Sequence, residues 1–233
     1  MSEAASNEMR GAHPLDAVVW NALTSTQRGL ALGDERARRF PAAIAPFAAL
    51  ADTGPASFEA LRALIEAQGP VALVTASEVP SPLEFSVLRR ERLIQMIWQG
   101  QLDATHAWDH VRLTEVDVPE MLALTAATQP GPFGPRTFEL GDYLGVRKDG
   151  KLAAMAGERM RLGGYTEISA VCVDAEFRGQ GHAGGLMKLL IASICARGET
   201  PFLHVIASNH SALSLYRTLG FAERRAMYLT VLG

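Results

Sequence analysis

Residues 171–187 read Val-Cys-Val-Asp-Ala-Glu-Phe-Arg-Gly-Gln-Gly-His-Ala-Gly-Gly-Leu-Met, an apolar run that leads into a glycine-rich turn and then a helix. The helix is predicted because Leu186, Leu190 and Ile194 share one helical face. The first amides of a helix have no partner within it, and the helix dipole adds positive potential at the same end. Glycines also let a ligand approach the backbone closely. The stretch therefore predicts a site for a phosphate or pyrophosphate group.

The elements on either side of this turn alternate between strands and helices. Strands are predicted at 111–114, 143–147, 152–161 and 165–173, and a helix is predicted near 119–127. The full order after residue 109 is strand, helix, three antiparallel strands, glycine-rich turn, helix, strand, helix and strand. This order predicts an α/β (α+β) domain.

The first half of the chain has a different pattern. Apolar stripes predict helices between Pro14 and Gln68, one of them around Ile44, Phe47 and Leu50. Strands are then predicted at 71–75 and 85–98. Because the chain turns polar between residues 100 and 109, we place a domain boundary near residue 108, giving domains 1–108 and 109–233.

Composition limits the classes of partner and compartment. The formal net charge of −3 and the pI near 6.1 give no basic excess for nucleic acid or an anionic membrane. The chain has 2 cysteines, both in apolar runs, so neither a disulfide scaffold nor a cysteine metal site is expected. Neither a secretory signal at the amino terminus nor a run of membrane-spanning length is recognised. A cytoplasmic protein without a metal is predicted.

Two ordered motifs carry a family resemblance. Arg178-Gly-Gln-Gly181-His-Ala183 resembles the Arg/Gln-x-x-Gly-x-Gly/Ala signature of the GNAT acetyltransferases, and the strand with Val171 to Val173 precedes it. The second segment, Val205 to Phe221, contains Ser208-Asn209 and Tyr216 and is also GNAT-like. The resemblance covers residues 109–232, and its FR47-like branch is the most similar.

The resemblance implies a fold and a co-substrate. The fold is a mixed, mostly antiparallel sheet flanked by helices and splayed at the strand before the glycine-rich turn. The N-terminal half, which lacks both motifs, is either a degenerate copy of this fold or an accessory domain. The resemblance implies that acetyl-CoA binds along the splayed strand, the turn and the second motif, at Val171, Cys172, Val173, Arg178, Gly179, Gln180, Gly181, His182, Ala183, Gly184, Asn209 and Tyr216.

Acetyl transfer to an amine needs a base, an oxyanion donor and an acid for the leaving thiolate. By resemblance, the Val173 amide serves the oxyanion and Tyr216 is the acid, although Tyr216 also fits the apolar stripe of its helix. If Leu162-Gly163 forms a two-residue hairpin loop, Glu158 faces Glu167, and the repulsion between two carboxylates would raise one proton affinity. This pair is one candidate base, and a solvated face paired with arginines is the alternative. His204 is the rival base, at a position where some acetyltransferases carry a carboxylate.

The leading functional prediction is direct transfer of acetyl from acetyl-CoA to a primary amine in a ternary complex. The alternative is a non-catalytic acyl-CoA-binding or regulatory module that keeps the phosphate turn. The acceptor is predicted to be a small molecule or a peptide, and the N-terminal half could serve to recognise a polypeptide. A homodimer is left open.

Overall fold

The computed structural model describes residues 13–80, 84–102 and 108–233. The described residues do not include the amino-terminal segment, to which the expectation about a secretory signal applies. They also do not include residues 103–107, which are part of the predicted boundary segment. Contacts between residues divide the chain into two compact units. The first unit contains residues up to Ile94 together with Met160–Gly163 and Arg225–Gly233, and the second contains Gln95–Arg159 and Gly164–Arg224. The predicted cut near residue 108 stays a prediction.

The first unit is built around a parallel strand pair and its connecting helix. Its elements are α1 (Val18–Thr24), β1 (Leu32–Gly33), β2 (Ala37–Arg39), β3 (Phe47–Leu50), α2 (Pro55–Gln68) and β4 (Val71–Thr75). Three long strands, β5 (Val87–Trp98), β8 (Lys151–Leu162) and β11 (Phe221–Leu232), contribute residues to both units. The strand order in this unit is β1-β2-β3-β4-β11-β5, with β3 parallel to β4 and β4 antiparallel to β11.

One helical stripe predicted for this unit is wrong. Phe47–Leu50 forms β3, which pairs with β2 on one side and with β4 on the other. Because a short apolar run that is buried on both faces has the same composition in a strand and in a helix, periodicity does not distinguish them. Within the range Pro14 to Gln68, where helices are predicted, Pro55–Gln68 forms α2, and the strand at 71–75 is confirmed as β4.

The second unit contains the order predicted from the sequence. Its remaining elements are β6 (Val111–Leu113), α3 (Val118–Thr128), β7 (Tyr143–Lys148), β9 (Tyr165–Val173), α4 (His182–Ala196), β10 (Thr200–Ile206) and α5 (His210–Thr218). The strand order is β5-β10-β9-β8-β7-β6, with β7 antiparallel to both β6 and β8 and with β10 parallel to β9. The predicted mixed, mostly antiparallel sheet flanked by helices is confirmed.

Two local features fix this sheet. Asp149 and Gly150 turn β7 into β8 with φ values of 50° and 78°, and two consecutive left-handed residues are what a two-residue hairpin turn requires. On the face that carries α3, buried side chains of the strands and the helix form one apolar cluster, whose members are Leu113, Met121, Leu124, Tyr143, Leu152, Met155, Ala170 and Cys172. Burial of this cluster away from water stabilises the position of β9, the strand that borders the site.

Candidate active site

The glycine-rich turn ends in a helix start that has no side-chain cap. Gly181 occupies the N-cap position of α4 with φ of 80°, no side chain caps the helix, and no acidic residue lies in its first turn. Gly179 is also left-handed, with φ of 78°, and a Cβ added there would meet nothing within 4 Å. The unpaired amides and the positive end of a 15-residue helix therefore face open space on the Gly179 side of the turn, while a Cβ added at Gly181 would lie 3.3 Å from Trp108. This is the geometry that an anion such as pyrophosphate fits.

A buried histidine begins this helix. His182 is 6% exposed, and neither ring nitrogen has a hydrogen-bond partner among the described residues. The Trp108 indole packs edge-on against it with centroids 6.0 Å apart. The same indole covers the next turn, since a Cβ added at Gly185 would lie 2.3 Å from it. Sequence reasoning did not single out Trp108, which stands alone beside a polar segment.

The strands β9 and β10 separate next to this turn. Their parallel ladder runs from the pair Thr200↔Tyr165 to the pair Phe202↔Glu167, while β9 continues to Val173 and β10 to Ile206. Ala170 interrupts β9 with a left-handed φ of 52°, which a residue with a side chain seldom adopts. The sequence predicted a splay at this strand, and the ladder ends at Glu167.

Residues predicted to hold acetyl-CoA lie along this opening and the turn. Val171 and Val173 are half-buried, and Cys172 between them is buried. Arg178, Gln180 and their glycine neighbours are exposed on the turn, whereas Ala183 and Gly184 are half-buried in the first turn of α4. Asn209 caps α5, where its side-chain oxygen accepts a hydrogen bond from the Ala212 amide at 3.1 Å.

Tyr216 lies on α5, half-buried, with its ring 6.2 Å from that of Phe221. Burial raises the pKa of Tyr216 to about 12, and the nearby Cys172 thiol adds to the shift. Burial likewise raises the pKa of Cys172 to about 11. The Tyr216 phenol therefore keeps its proton at neutral pH, as a general acid must, and the Cys172 thiol remains un-ionised and unsuited to nucleophilic attack.

Glu158 is buried against an arginine. Its side chain is 1% exposed, and Arg197 Nη2 donates to Glu158 Oε1 at 2.7 Å. Arg197 is the C-cap residue of α4, and it also contacts Glu199. Glu158 therefore works as the acceptor of an ion pair at the end of α4.

Glu167 has different partners. Arg159 donates to both of its carboxylate oxygens, at 2.8 and 2.6 Å, and His204 Nδ1 lies 2.7 Å from Oε1. Burial acts to raise the pKa of Glu167, but the charge and hydrogen bonds of Arg159, with His204, outweigh it and lower the pKa to about 2. A carboxylate with so low a pKa accepts a proton poorly near neutral pH.

The predicted facing pair of Glu158 and Glu167 is wrong. Arg159, the neighbour of Glu158, contacts Glu167, and adjacent strand residues point to opposite faces of a sheet. The two residues between β8 and β9 are Gly163 and Gly164, of which Gly164 has a left-handed φ of 80°, so the turn differs from the predicted Leu162-Gly163 loop. A register that differs by one residue places a side chain on the other face of the sheet.

His204 is the remaining candidate base, and it is held on both sides. Its side chain is 3% exposed, with Glu167 at Nδ1 and the Gln95 amide nitrogen 3.0 Å from Nε2. Arg224 Nη1 donates to the Gln95 oxygen at 2.6 Å. Gln95 and Arg224 were not predicted as site residues, because they lie on strands that are distant in sequence.

Across residues 13–80, 84–102 and 108–233, no group of three or more His, Cys, Asp or Glu side chains has an arrangement that could hold a metal ion. Within the same ranges, no helix is both long enough and apolar enough to cross a bilayer.

Comparison with known proteins identifies relatives of both the second unit and the whole chain. Residues 143–230 match the family described as FR47-like protein. The crystal structure of an acetyltransferase of the GNAT family from Novosphingobium aromaticivorans is 44% identical, with a TM-score of 0.89, and the match covers 95% of this chain and 98% of that one. The ribosomal protein bS18-alanine N-acetyltransferase of Escherichia coli strain K12 is 32% identical over 130 residues, which are 52% of this chain and 87% of the relative.

A more distant structure extends over the whole chain. The GCN5-related N-acetyltransferase-like protein from Streptococcus suis has a TM-score of 0.65 at 17% identity, and the match covers 97% of this chain and 96% of that one. At this identity the comparison shows a shared fold alone.

Proposed function

Because this chain belongs to the GNAT family of acetyltransferases, we propose that it transfers acetyl from acetyl-CoA directly to a primary amine at the splay between β9 and β10. The observation that carries the proposal is the position of Glu167 and His204, where the β9–β10 ladder ends. The opening lies beside β9, which is joined by the glycine-rich turn to the uncapped start of α4.

The co-substrate is assigned to the turn on physical grounds. The residues present fit a pyrophosphate, since α4 lacks both a side-chain cap and an acidic first turn. A Cβ at Gly184 would meet only Leu215, at 3.9 Å, which leaves room for close approach. When bound, acetyl-CoA supplies the activated acyl group, and the amides of residues 173 and 181–184 position its two ends.

We assign the base to His204 with Glu167 as its orienting partner. His204 Nε2 accepts a hydrogen bond from the Gln95 amide nitrogen, so it carries a lone pair that can take up a proton, as a general base must. Glu167 has too low a pKa for this role, and Glu158 is held by Arg197. During transfer the amine nitrogen attacks the thioester carbon, and the C–S bond breaks as the amide C–N bond forms. The proton of the amine passes to His204.

We assign the acid to Tyr216. The thiolate that leaves must take up a proton, and the Tyr216 phenol retains its proton because its pKa is raised to about 12. The thiol of Cys172, which contributes to that shift, lies on β9, the strand beside which the thioester would be held. The base would then lie on β10, with its orienting carboxylate on β9, and the acid would lie on α5.

The acceptor class is a primary amine of a small molecule or of a peptide. The E. coli relative is named for an alanine of ribosomal protein bS18, so a peptide amino terminus is one acceptor to test. A broad panel of metabolite amines and alanine-initiated peptides, incubated with acetyl-CoA, should yield acetylated product by mass spectrometry and an equal amount of free CoA thiol.

The same experiment tests the rival function. A non-catalytic acyl-CoA-binding module would bind CoA in calorimetry but would release no thiol with any amine of the panel. Thiol release without acetylated amine would indicate hydrolysis and would also contradict the proposal.

A further inference from the structure

A row of polar side chains crosses five neighbouring strands at the end of the β9–β10 ladder. In spatial order the row is Arg159 on β8, Glu167 on β9, His204 on β10, Gln95 on β5 and Arg224 on β11. Gln95 and Glu167 are both 0% exposed, so the row runs through the interior of the second unit. Buried polar groups of this kind are costly unless every donor meets an acceptor.

Arg224 fixes the orientation of the Gln95 amide. A guanidinium can only donate hydrogen bonds, and the amide nitrogen of glutamine can also only donate. The group that lies 2.6 Å from Arg224 Nη1 must therefore be the Gln95 oxygen. The amide nitrogen then points to His204 Nε2, 3.0 Å away.

The orientation of Gln95 in turn fixes the tautomer of His204. A donor at Nε2 requires that this nitrogen carry a lone pair and no proton. Nδ1 then carries the proton of the neutral ring and donates it to Glu167 Oε1 at 2.7 Å. Glu167 remains a carboxylate because Arg159 donates to both of its oxygens. Each of these contacts then joins one donor to one acceptor.

We propose that Gln95 and Arg224 are positioning residues that hold His204 neutral, with its Nε2 lone pair ready to receive the proton of the acceptor amine. This inference rests on the proposed function and assigns two residues outside both sequence motifs. Before the amine arrives, the hydrogen bond from Gln95 occupies the Nε2 lone pair and keeps it unprotonated. During turnover this hydrogen bond must break before Nε2 can take the proton of the amine.

Charged groups face His204 from both sides of the ring. Arg224, beyond Gln95, places a positive charge on the Nε2 side, which opposes an imidazolium. Glu167 favours one on the Nδ1 side, but Arg159 offsets its charge. Tyr143 on β7 faces the same ion pair and, with its pKa raised by burial, adds no charge. On its own strand His204 contacts the uncharged side chain of Phe202, and the two ring centroids are 5.8 Å apart.

Nuclear magnetic resonance of the free protein tests the tautomer without any turnover. In ¹⁵N-labelled full-length protein near neutral pH, we expect the His204 signals of a ring protonated at Nδ1 alone, assigned by their loss in His204→Gln. A ring protonated at Nε2 alone, or at both nitrogens, would overturn the proposal whatever the enzyme's activity.

The pH dependence of kcat/KM tests the role of Gln95. Gln95→Leu removes the donor, so the acidic limb should move upward by about one pH unit, since one hydrogen bond changes a proton affinity by that order. Gln95→Glu supplies an acceptor at Nε2 and should move the limb further. Arg224→Met should move it in the same direction. Gln99→Leu, the same exchange at an exposed position next to the end of β5, should leave it in place.

The two experiments separate the inference from the proposed function. The expected tautomer together with unchanged profiles in folded Gln95→Leu and Arg224→Met would sink the positioning role alone. Expected ring signals in a protein that acetylates no amine would contradict the proposed function, while the resonance spectra would still decide the tautomer.

Discussion

The Arg159 guanidinium donates to both oxygens of the Glu167 carboxylate, at 2.8 and 2.6 Å, with Glu167 0% exposed and Arg159 11% exposed. Removal of one member of a buried pair leaves an uncompensated charge. We therefore expect Glu167→Gln to lower the free energy of unfolding at neutral pH by about 3–5 kcal/mol, measured by denaturant titration. Glu139→Gln, which breaks a more exposed pair with Arg136, should cost far less, because solvent screens that pair. Equal losses in the two variants would contradict the coupling.

The same ion pair predicts a pH dependence of stability. The pKa of Glu167 is lowered to about 2 in the folded protein, whereas a glutamate in an unfolded chain titrates near about 4.3. A depressed carboxylate stabilises the fold fully above the unfolded value, and this stabilisation disappears as the pH falls from about 4 towards about 2. The stability of Glu167→Gln should change less than that of the wild type over this range. Thermal melting as a function of pH checks it, and parallel curves would contradict it.

The indole of Trp108 packs against α4 at Gly185, where the absence of a side chain leaves room for the ring. A Cβ at this position would lie 2.3 Å from the ring, so Gly185→Ala should force the indole away and cost about 1–3 kcal/mol of stability. Gly163→Ala, where a Cβ would meet nothing within 4 Å, should be close to neutral. In the Trp108→Ala background, Gly185→Ala should cost much less. A double-mutant cycle of unfolding free energies for Trp108 and Gly185 therefore measures their contact. Additive effects would show that the two residues do not interact.

Gly181 tests the anion site. Gly181→Val places a branched side chain where a phosphate would approach the backbone, so CoA affinity should fall at least about tenfold in calorimetry. Gly150→Val controls for backbone strain, because Gly150 has φ of 78° and Gly181 has φ of 80°, yet Gly150 lies in the β7–β8 turn; only at Gly181 would an added Cβ also lie 3.3 Å from Trp108. Both variants carry similar backbone strain. A comparable loss of CoA affinity in each would attribute the effect to strain.

Tyr216→Phe tests the proposed acid. The substitution keeps the ring next to Phe221 and deletes the donor, so turnover should fall on the order of 100-fold to 10,000-fold while melting temperature and CoA affinity are retained. Because the pKa of Tyr216 is raised to about 12, its titration should not set a basic limb below about pH 11. Tyr228→Phe, on β11, is the control. Near-normal turnover in Tyr216→Phe would return Tyr216 to a packing role.

Local patterns in the sequence determined much of the second unit and little of its active-site chemistry. The glycine-rich turn, α4, the Asp149–Gly150 hairpin and the Asn209 cap were predictable, because each depends on residues close together in the chain. For the same reason periodicity failed for Phe47–Leu50, whose partners on β2 and β4 decide that it is a strand.

Tertiary structure decided which side chains meet. The turn between β8 and β9 is Gly163-Gly164 rather than the predicted Leu162-Gly163, and Arg159, rather than Glu158, contacts Glu167. Because side chains alternate with a period of two, a slip of one residue exchanges the faces. Gln95 reaches His204 only because β5 lies beside β10 in the sheet, although 109 positions separate the two residues. The sequence by itself determined where an acetyl donor could bind, whereas the pairing of distant strands decided which nitrogen could receive the proton.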